Sequence, residues 1–456
     1  MTNSTKYLII GAGPAGLGAG WRLRELGEHD YLLIESNEWV GGLASSFVDP
    51  QGFTWDIGGH VQFSHYKYFD DVMDRALGVE GWLHHQRESW VWMKERFVPY
   101  PFQNNIRYLP AESQWRCLKG IIDITREPRP KPAHFKDWIH SIFGEGIAAE
   151  FMLPYNFKVW AWPLEEMAFQ WIGERVAVVD LYRVAQNIVL GRDDLSWGPN
   201  NLFRFPKHGG TGAIWRSVGE TVGLDRVRLR TNVVAIDPAT KTASLSDGST
   251  VRYEHLLSTI PIDRLTPMVR EFPANLVTRS RELKHSSSNI VGIGLRGQPK
   301  PELATKCWMY FPEDNCPFYR VTLFSKYSPF NVPDINTHFS LMTETSESPA
   351  KPVDQARLIE DTITGLRNTK LIGPGDEIVT TWHYRASYGY PTPSVERDDI
   401  LGAVIPELER RGVYSRGRFG AWKYEVSNQD HTFMQGVEWA NLIVRNEPET
   451  TVYSCP

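Results

Sequence analysis

Two short apolar runs, KYLII (6–10) and YLLIE (31–35), flank a segment of helical spacing, PAGLGAGWRLRELG (14–27). In that segment Leu17, Trp21 (or Ala19), Leu23 and Leu26 share one face. Unbroken apolar strands on either side of such a helix predict a βαβ unit, because a parallel sheet covered on both faces needs no polar alternation. From about Leu109 to Leu190 the period becomes helical. SQWRCLKGIIDI, HFKDWIHSIF and EGIAAEFMLPYNF, interrupted by the Pro-rich EPRPKPAHF, predict a helical insertion. VRLRTNVVAID and TASLSDGSTVRYEHLLSTI, with the turn signal Asp247-Gly248, predict strands that return to the first unit. Between about Asn289 and Arg385 the segments IVGIGLRG, CWMYFP, FYRVTLFS, FSLMTET and EIVTTWHYR alternate and predict a mostly antiparallel sheet. QDHTFMQGVEWANLIV (429–444) predicts a closing helix. No internal repeat and no low-complexity segment breaks this order.

The turn between the first strand and the first helix carries chemistry. Gly11, Gly13 and Gly16 give the tight turn, the close backbone approach to a pyrophosphate and the close helix–strand packing of a dinucleotide site. The helix end that follows offers unpaired N–H groups and partial positive charge to the phosphates. Glu35, at the end of the next strand, stands roughly 20 residues further on, where an acid meets the ribose.

Composition adds limits. A chain of 456 residues holds two or three domains, or one elaborated α/β domain. Hydrophobic residues at 41%, charged residues at 23% and a formal charge of −5 give no sign of nucleic-acid or membrane affinity. The 17 Trp, 18 Tyr and 21 Phe suit either a flat ligand or a large aromatic core. The four cysteines, Cys117, Cys307, Cys316 and Cys455, include no C-x-x-C, and read as reduced thiols of a cytoplasmic protein. The N-terminus has no signal-peptide pattern, and no apolar run approaches the ~20 residues of a membrane span. There is no Ser/His/Asp set, no thiolate motif and no metal-ligand spacing. His60 and His65, in GGHVQFSHYKYF (58–69), are five apart rather than the four of a helical metal pair. No metal is expected.

Longer motifs then narrow the class. Gly41-Gly42-Leu43-Ala44 resembles the second glycine pair of glutathione-reductase-like flavoproteins, which include amine oxidases and desaturases, and implies FAD rather than a nicotinamide cofactor alone. NVVAID (232–237) resembles the strand that meets the adenine, and the RFG…NQD…GVE segment the helix that closes over the flavin. GGHVQFSHYKYFDD (58–71), VPYPFQNNI (98–106), PYNFKVWAWP (154–163), GERVA (173–177), WGPN (197–200), FRFPKHGGTGAIW (203–215), CWMYFPEDNCPFYRVTLFS (307–325), YGYPTPS (388–394) and SRGRFGAWKYEVSNQDHTFMQGVE (415–438) run from end to end. On these the chain resembles the UDP-galactopyranose mutases, more the fungal and protozoan branch than the usual bacterial one.

The resemblance implies an α/β fold: a Rossmann-like FAD-binding domain (1–85, 203–275 and 405–456), an inserted helical domain (108–202) and an antiparallel sheet domain (86–107 and 276–404). It implies isomerisation of UDP-galactopyranose and UDP-galactofuranose. N5 of reduced FAD attacks the anomeric carbon and displaces UDP with no net redox change, and NADPH is the reductant. His60, Arg175 and Arg320 are then the catalytic set, the arginines on the pyrophosphate, because a guanidinium fork pairs with two phosphate oxygens. Tyr310, Tyr327, Tyr390 and Tyr424 match phosphate-contacting tyrosines. Tyr100, Phe102, Gln103, Asn156 and Trp160 match the uridine end, and Phe63, Arg87, Asn200 and Trp308 line sugar and flavin. On the cofactor side stand Gly11, Gly13, Gly16, Glu35, Ser36, Gly41, Gly42, Leu43, Gly59, His60, Val234, Arg418, Asn428 and Gln429.

Departures are Gln62 where an apolar residue is expected, the bulky Trp162, Lys207-His208, and Glu88 beside Arg87 near the flavin or sugar. They bear on the sugar more than on the reaction, and Gln62 is the first candidate for altered sugar specificity. The alternatives are a mutase of another NDP-hexose, an FAD-dependent oxidoreductase of the amine oxidase/desaturase type, and a non-enzymatic FAD-binding protein. The partners expected are a nucleotide sugar and NADPH, with no nucleic acid and no membrane, and a homo-oligomer is allowed.

Overall fold

The computed structural model describes residues 2–127, 130–173, 176–195 and 201–453. Two seven-stranded sheets organise them. In the first, Thr2–Ile10 lies parallel between Tyr31–Ile34 and Thr250–Ser258, with Val227–Arg228 beyond Tyr31–Ile34 and Val413–Ser415 beside the end of Thr250–Ser258. Thr242–Leu245 and Val233–Asp237 extend it as an antiparallel meander. The first strand begins at Thr2 rather than at Lys6, because the pairing Thr2↔Thr250 to Thr5↔Tyr253 carries a polar start that has no apolar signature.

The helix Pro14–Glu25 lies on this sheet and packs against the last helix, Gln429–Arg445. Two glycines allow the contact. A Cβ on Gly436 would meet Ala15 O at 1.9 Å, and one on Gly18 would meet Phe433 O at 2.3 Å. Leu17, Trp21, Leu23, Phe433, Val437 and Trp439 fill the core between helices and sheet.

The second sheet runs Ile378–Pro391, His285–Arg296, His338–Glu347, Arg320–Leu323, Trp308–Tyr310, Ser89–Met93, Arg96–Pro99. It is antiparallel except where Trp308–Tyr310 meets Ser89–Met93. Its face away from the site buries Val291, Ile293, Met309, Val321 and Leu341 under the helix Leu358–Asn368. The insertion holds the helices Ala111–Arg126, Phe135–Ile147, Leu153–Trp160 and Leu181–Leu190 around Phe102, Phe143, Phe151 and Met167. A small antiparallel ribbon, Trp82–Gln86 with Leu202–Pro206, had no separate signal in the sequence.

Candidate functional site

The first half of the site is the glycine turn. Gly11 has φ +101°, and a Cβ there would strike Thr259 Oγ1 at 2.0 Å; a Cβ on Gly16 would strike Gly11 O at 1.9 Å. Gly13 caps Pro14–Glu25 with no side chain over the helix end, which leaves its N–H groups for an anion. Gly13 and Gly42 face each other, a Cβ on Gly42 lying 3.3 Å from Gly13 Cα, and Gly41 and Gly42 both have positive φ. Leu43 sits in the short turn Gly42–Ala44. The buried Glu35 carboxylate accepts the Ala12 N–H at 2.7 Å, the Asn37 N–H at 2.8 Å and the Ser36 hydroxyl at 3.2 Å. A glycine cradle, an uncapped helix end and a fixed acid beside them fit a dinucleotide diphosphate and its ribose. Val234, at the outer end of the first sheet, is half exposed.

The second half is one face of the second sheet. Arg320 pairs directly with Glu344 on one side and with Tyr310 on the other, so period-two alternation puts all three side chains on the same face. Trp308 and Thr322 lie two residues away on that face. Arg320 Nε and Nη2 donate to Glu344 Oε1 and Oε2, both at 2.7 Å, and the Tyr319 hydroxyl donates to Oε2 at 2.7 Å. Burial alone would raise the Glu344 carboxyl, but Arg320, Tyr319 and the Gly59 N–H hold it below the ordinary range.

The loop 58–66 crosses this face. Gly59 is pressed so close that a Cβ would lie 3.0 Å from Thr322 Oγ1 and 3.1 Å from Glu344 Oε1. Next to it, His60 has a buried Nδ1 without a hydrogen-bond partner. Burial lowers its pKa to about 4; Glu344 opposes the shift, and Arg320 and Arg418 add to it. His60 is therefore neutral through the physiological range. An unpaired ring nitrogen of this kind fits a ligand that completes it. Phe63 leans edge-on against His65 with centroids 5.6 Å apart.

Aromatic rings continue from this face, at Tyr310, toward the helical insertion. Tyr310 lies 5.2 Å from Tyr100 and 5.4 Å from Tyr155, and Trp160 lies 4.9 Å from Tyr424 and 5.9 Å from Tyr390. The Arg418 guanidinium stacks 4.9 Å over Tyr390 and donates to Gly389 O and Ser427 Oγ. Among the described residues Arg418 has no carboxylate partner, which suits an anionic ligand. Arg87 lies 5.6 Å from the Tyr100 ring centroid. Trp308 donates from Nε1 to Tyr310 Oη, and the fully buried Tyr327 has an unpaired hydroxyl. Phe102 is completely buried and stacks on Phe151 at 4.7 Å; Gln103 donates to Ala177 O, and Asn156 to Met152 O at 2.7 Å. Asn428 caps the last helix, and Gln429 Oε1 accepts the Trp215 indole N–H at 2.8 Å. Arg175 and Asn200 lie outside the described residues.

The departures from the family pattern make contacts of their own, and Gln62 is buried with an unpaired Nε2. Gln62 exchanges both backbone hydrogen bonds with Arg204, so its side chain shares the face of Arg204, whose guanidinium covers Trp82 and pairs with Asp70 and Asp74. Glu88, between the strands Trp82–Gln86 and Ser89–Met93, accepts the Trp90 indole N–H and the Thr305 hydroxyl. Trp162 donates to His285 O, and His208 packs on Phe330. Sequence reasoning missed Glu344, Tyr319 and Asp430. For Glu344 a signal existed, since an acid near the end of the apolar strand segment FSLMTET, on the side of Met342, calls for a cation beside it.

Comparison with known proteins agrees with this geometry. The family described as flavin containing amine oxidoreductase matches residues 14–443. A solved structure of reduced UDP-galactopyranose mutase is 50% identical, with a TM-score of 0.96, covering 99% of this chain and 96% of that one. A fatty acid isomerase from P. acnes (15% identical, TM-score 0.64, 96% of this chain, 99% of that one) and putrescine oxidase (16%, 0.61, 97% and 100%) share the fold alone. Among curated sequences, zeta-carotene desaturase of Zea mays is 39% identical over 71 residues, 16% of this chain and only 12% of that protein. The chain belongs to the flavin containing amine oxidoreductases and, within them, to the family of the UDP-galactopyranose mutases. Membership of this family makes FAD its cofactor. No helix among the described residues is long and apolar enough to cross a membrane.

Proposed function

We propose that this chain is a flavin-dependent isomerase that interconverts UDP-galactopyranose and UDP-galactofuranose. The observation that carries the reading is the whole-length similarity to UDP-galactopyranose mutase at 50% identity. FAD, once reduced, supplies the nucleophile toward the anomeric carbon, and NADPH is the reductant this reading calls for. The protein's part is to hold the diphosphate leaving group, orient the sugar and keep water out. Arg320, with Arg175 and the tyrosines Tyr310, Tyr327, Tyr390 and Tyr424, meets the diphosphate. The unpaired Tyr327 hydroxyl and the acid-free Arg418 support an anion on this side. Tyr100, Phe102, Gln103, Asn156 and Trp160 take the uridine; Phe63, Arg87, Asn200 and Trp308 take the sugar and flavin edge. The first sheet with its helices is the FAD domain, the helical insertion the uridine side, and the second sheet the substrate floor. We place the protein in the cytoplasm.

Arg320→Ala tests the diphosphate role. It is expected to keep FAD, to weaken UDP binding at least tenfold and to lose turnover. Unchanged UDP affinity would remove Arg320 from the site.

A further inference from the structure

The loop that carries His60 and Phe63 is strung between two buried carboxylates. At its start Glu344 Oε1 accepts the Gly59 N–H at 2.9 Å. At its end Asp430 Oδ2 accepts the His65 N–H at 3.1 Å and contacts His65 Nδ1 at 2.7 Å. Between these anchors the Gln62–Arg204 backbone pair, at 3.0 and 2.9 Å, pins the middle. Glu344 is already committed to Arg320. Asp430 has no partner in the ligand-facing wall, and its side chain is 1% exposed.

Asp430 belongs to the first turn of Gln429–Arg445, directly after Asn428 and Gln429. Burial would raise its carboxyl, but His431 and His65 outweigh that and hold it far below the ordinary range, so it is a carboxylate at any working pH. A negative charge is also favoured at the N-terminal end of a helix. His431 lies against the other oxygen, Nδ1 to Oδ1 3.0 Å, and the two imidazoles stand 4.8 Å apart.

We propose that Asp430 and His65 are positioning residues, which tie the end of the 58–66 loop to the helix closing the cofactor site and so fix His60 against the flavin. This rests on the flavin-side reading of His60 given above. A seven-residue span pinned at Gly59, Gln62 and His65 has little freedom. Loss of the last pin lets His60 drift, and misplacement by about 1 Å can cost a hundredfold in rate. The same three side chains bring potential ligand atoms within 4.8 Å of one another, a spacing a divalent transition metal could draw together. Positioning is the better reading, because the helix end disfavours a cation and Oδ2 is already taken by two nitrogens of His65.

The experiment uses the FAD-loaded enzyme and three variants, His65→Phe, His65→Asn and Asp430→Asn. Asparagine keeps a donor where Nδ1 stood, and phenylalanine does not. The His65 side chain is 41% exposed, so its variants are expected to fold even where Asp430→Asn does not. His65→Phe should change the relative affinity for reduced and oxidised FAD about tenfold, read as a midpoint shift of about 30 mV for two electrons. It should also lower kcat at least tenfold with KM for UDP-galactofuranose within twofold, while His65→Asn stays close to the parent. Asp430→Asn, where it folds, should follow the phenylalanine variant. An unchanged potential and kcat in His65→Phe, or equal losses in both His65 variants, would overturn the proposal. So would one equivalent of Zn²⁺ bound by metal-free holoenzyme and lost in His65→Phe, which would make the cluster a metal site. The potential needs no nucleotide sugar. A parent enzyme inert to UDP-galactofuranose would sink the mutase reading, yet a shifted potential in His65→Phe would leave the positioning pair standing.

Discussion

Glu344 and Arg320 show how one side chain fixes the state of another. Their bidentate pair, braced by Tyr319 and Gly59, keeps the guanidinium charged and aimed along the sheet face. Glu344→Gln would leave a largely buried cation without its counter-charge, and we expect a loss of about 2–4 kcal/mol in denaturant unfolding. A loss under 1 kcal/mol would mean that solvent, not Glu344, balances Arg320. His60 makes a second residue-scale prediction. Its folded pKa of about 4 lies below its free value of ~6.5, so the unfolded chain binds the extra proton between those values. This contribution is complete above pH 6.5 and is lost as pH falls toward 4. His60→Asn should therefore lose about 2 kcal/mol less than the parent over that window, measured by unfolding at both ends. Equal losses would show that His60 is already free to protonate. At this scale the sequence was legible where a residue answers to its neighbours in the chain, as Gly11, Gly13, Gly16 and Glu35 do. Glu344, Asp430 and the pairing of the buried Gln62 with Arg204 were not, because each is set by pairing with a strand or helix far away in sequence.

Among the elements, the helices Pro14–Glu25 and Gln429–Arg445 were readable almost to their ends, since apolar spacing and glycine punctuation mark helices locally. Their mutual contact was not readable. It depends on Gly18 and Gly436, which look in sequence like mere weak points of two helices. Gly436→Ala would set a Cβ 1.9 Å from Ala15 O and 2.7 Å from Ala19 N. We expect it to push the first helix off its seat, lower Tm by several degrees and weaken FAD retention. Gly402→Ala, in the helix Arg397–Arg410 with nothing within 4 Å of the new Cβ, should keep FAD and gain up to about 1 kcal/mol. Thermal shift and flavin release on dilution read both variants, and equal behaviour would contradict close packing as the role of Gly436. The ribbon Trp82–Gln86 with Leu202–Pro206 escaped the sequence because its strands are more than a hundred residues apart.

At the scale of the whole molecule, the parallel sheet supplies a cradle for a dinucleotide, and the second sheet lays Arg320, Tyr310 and Trp308 under a loop that brings His60 to the same place. The wall beside it is aromatic and cationic. On the proposed reading, a fold shared with oxidases serves to grip an anionic leaving group. The direct measurement is anaerobic incubation of dithionite-reduced enzyme with UDP-galactofuranose, following products by chromatography and the flavin by absorbance. The account predicts conversion to UDP-galactopyranose while the flavin stays reduced. No conversion, with the flavin reoxidised by an amine or an alkene precursor instead, would contradict it.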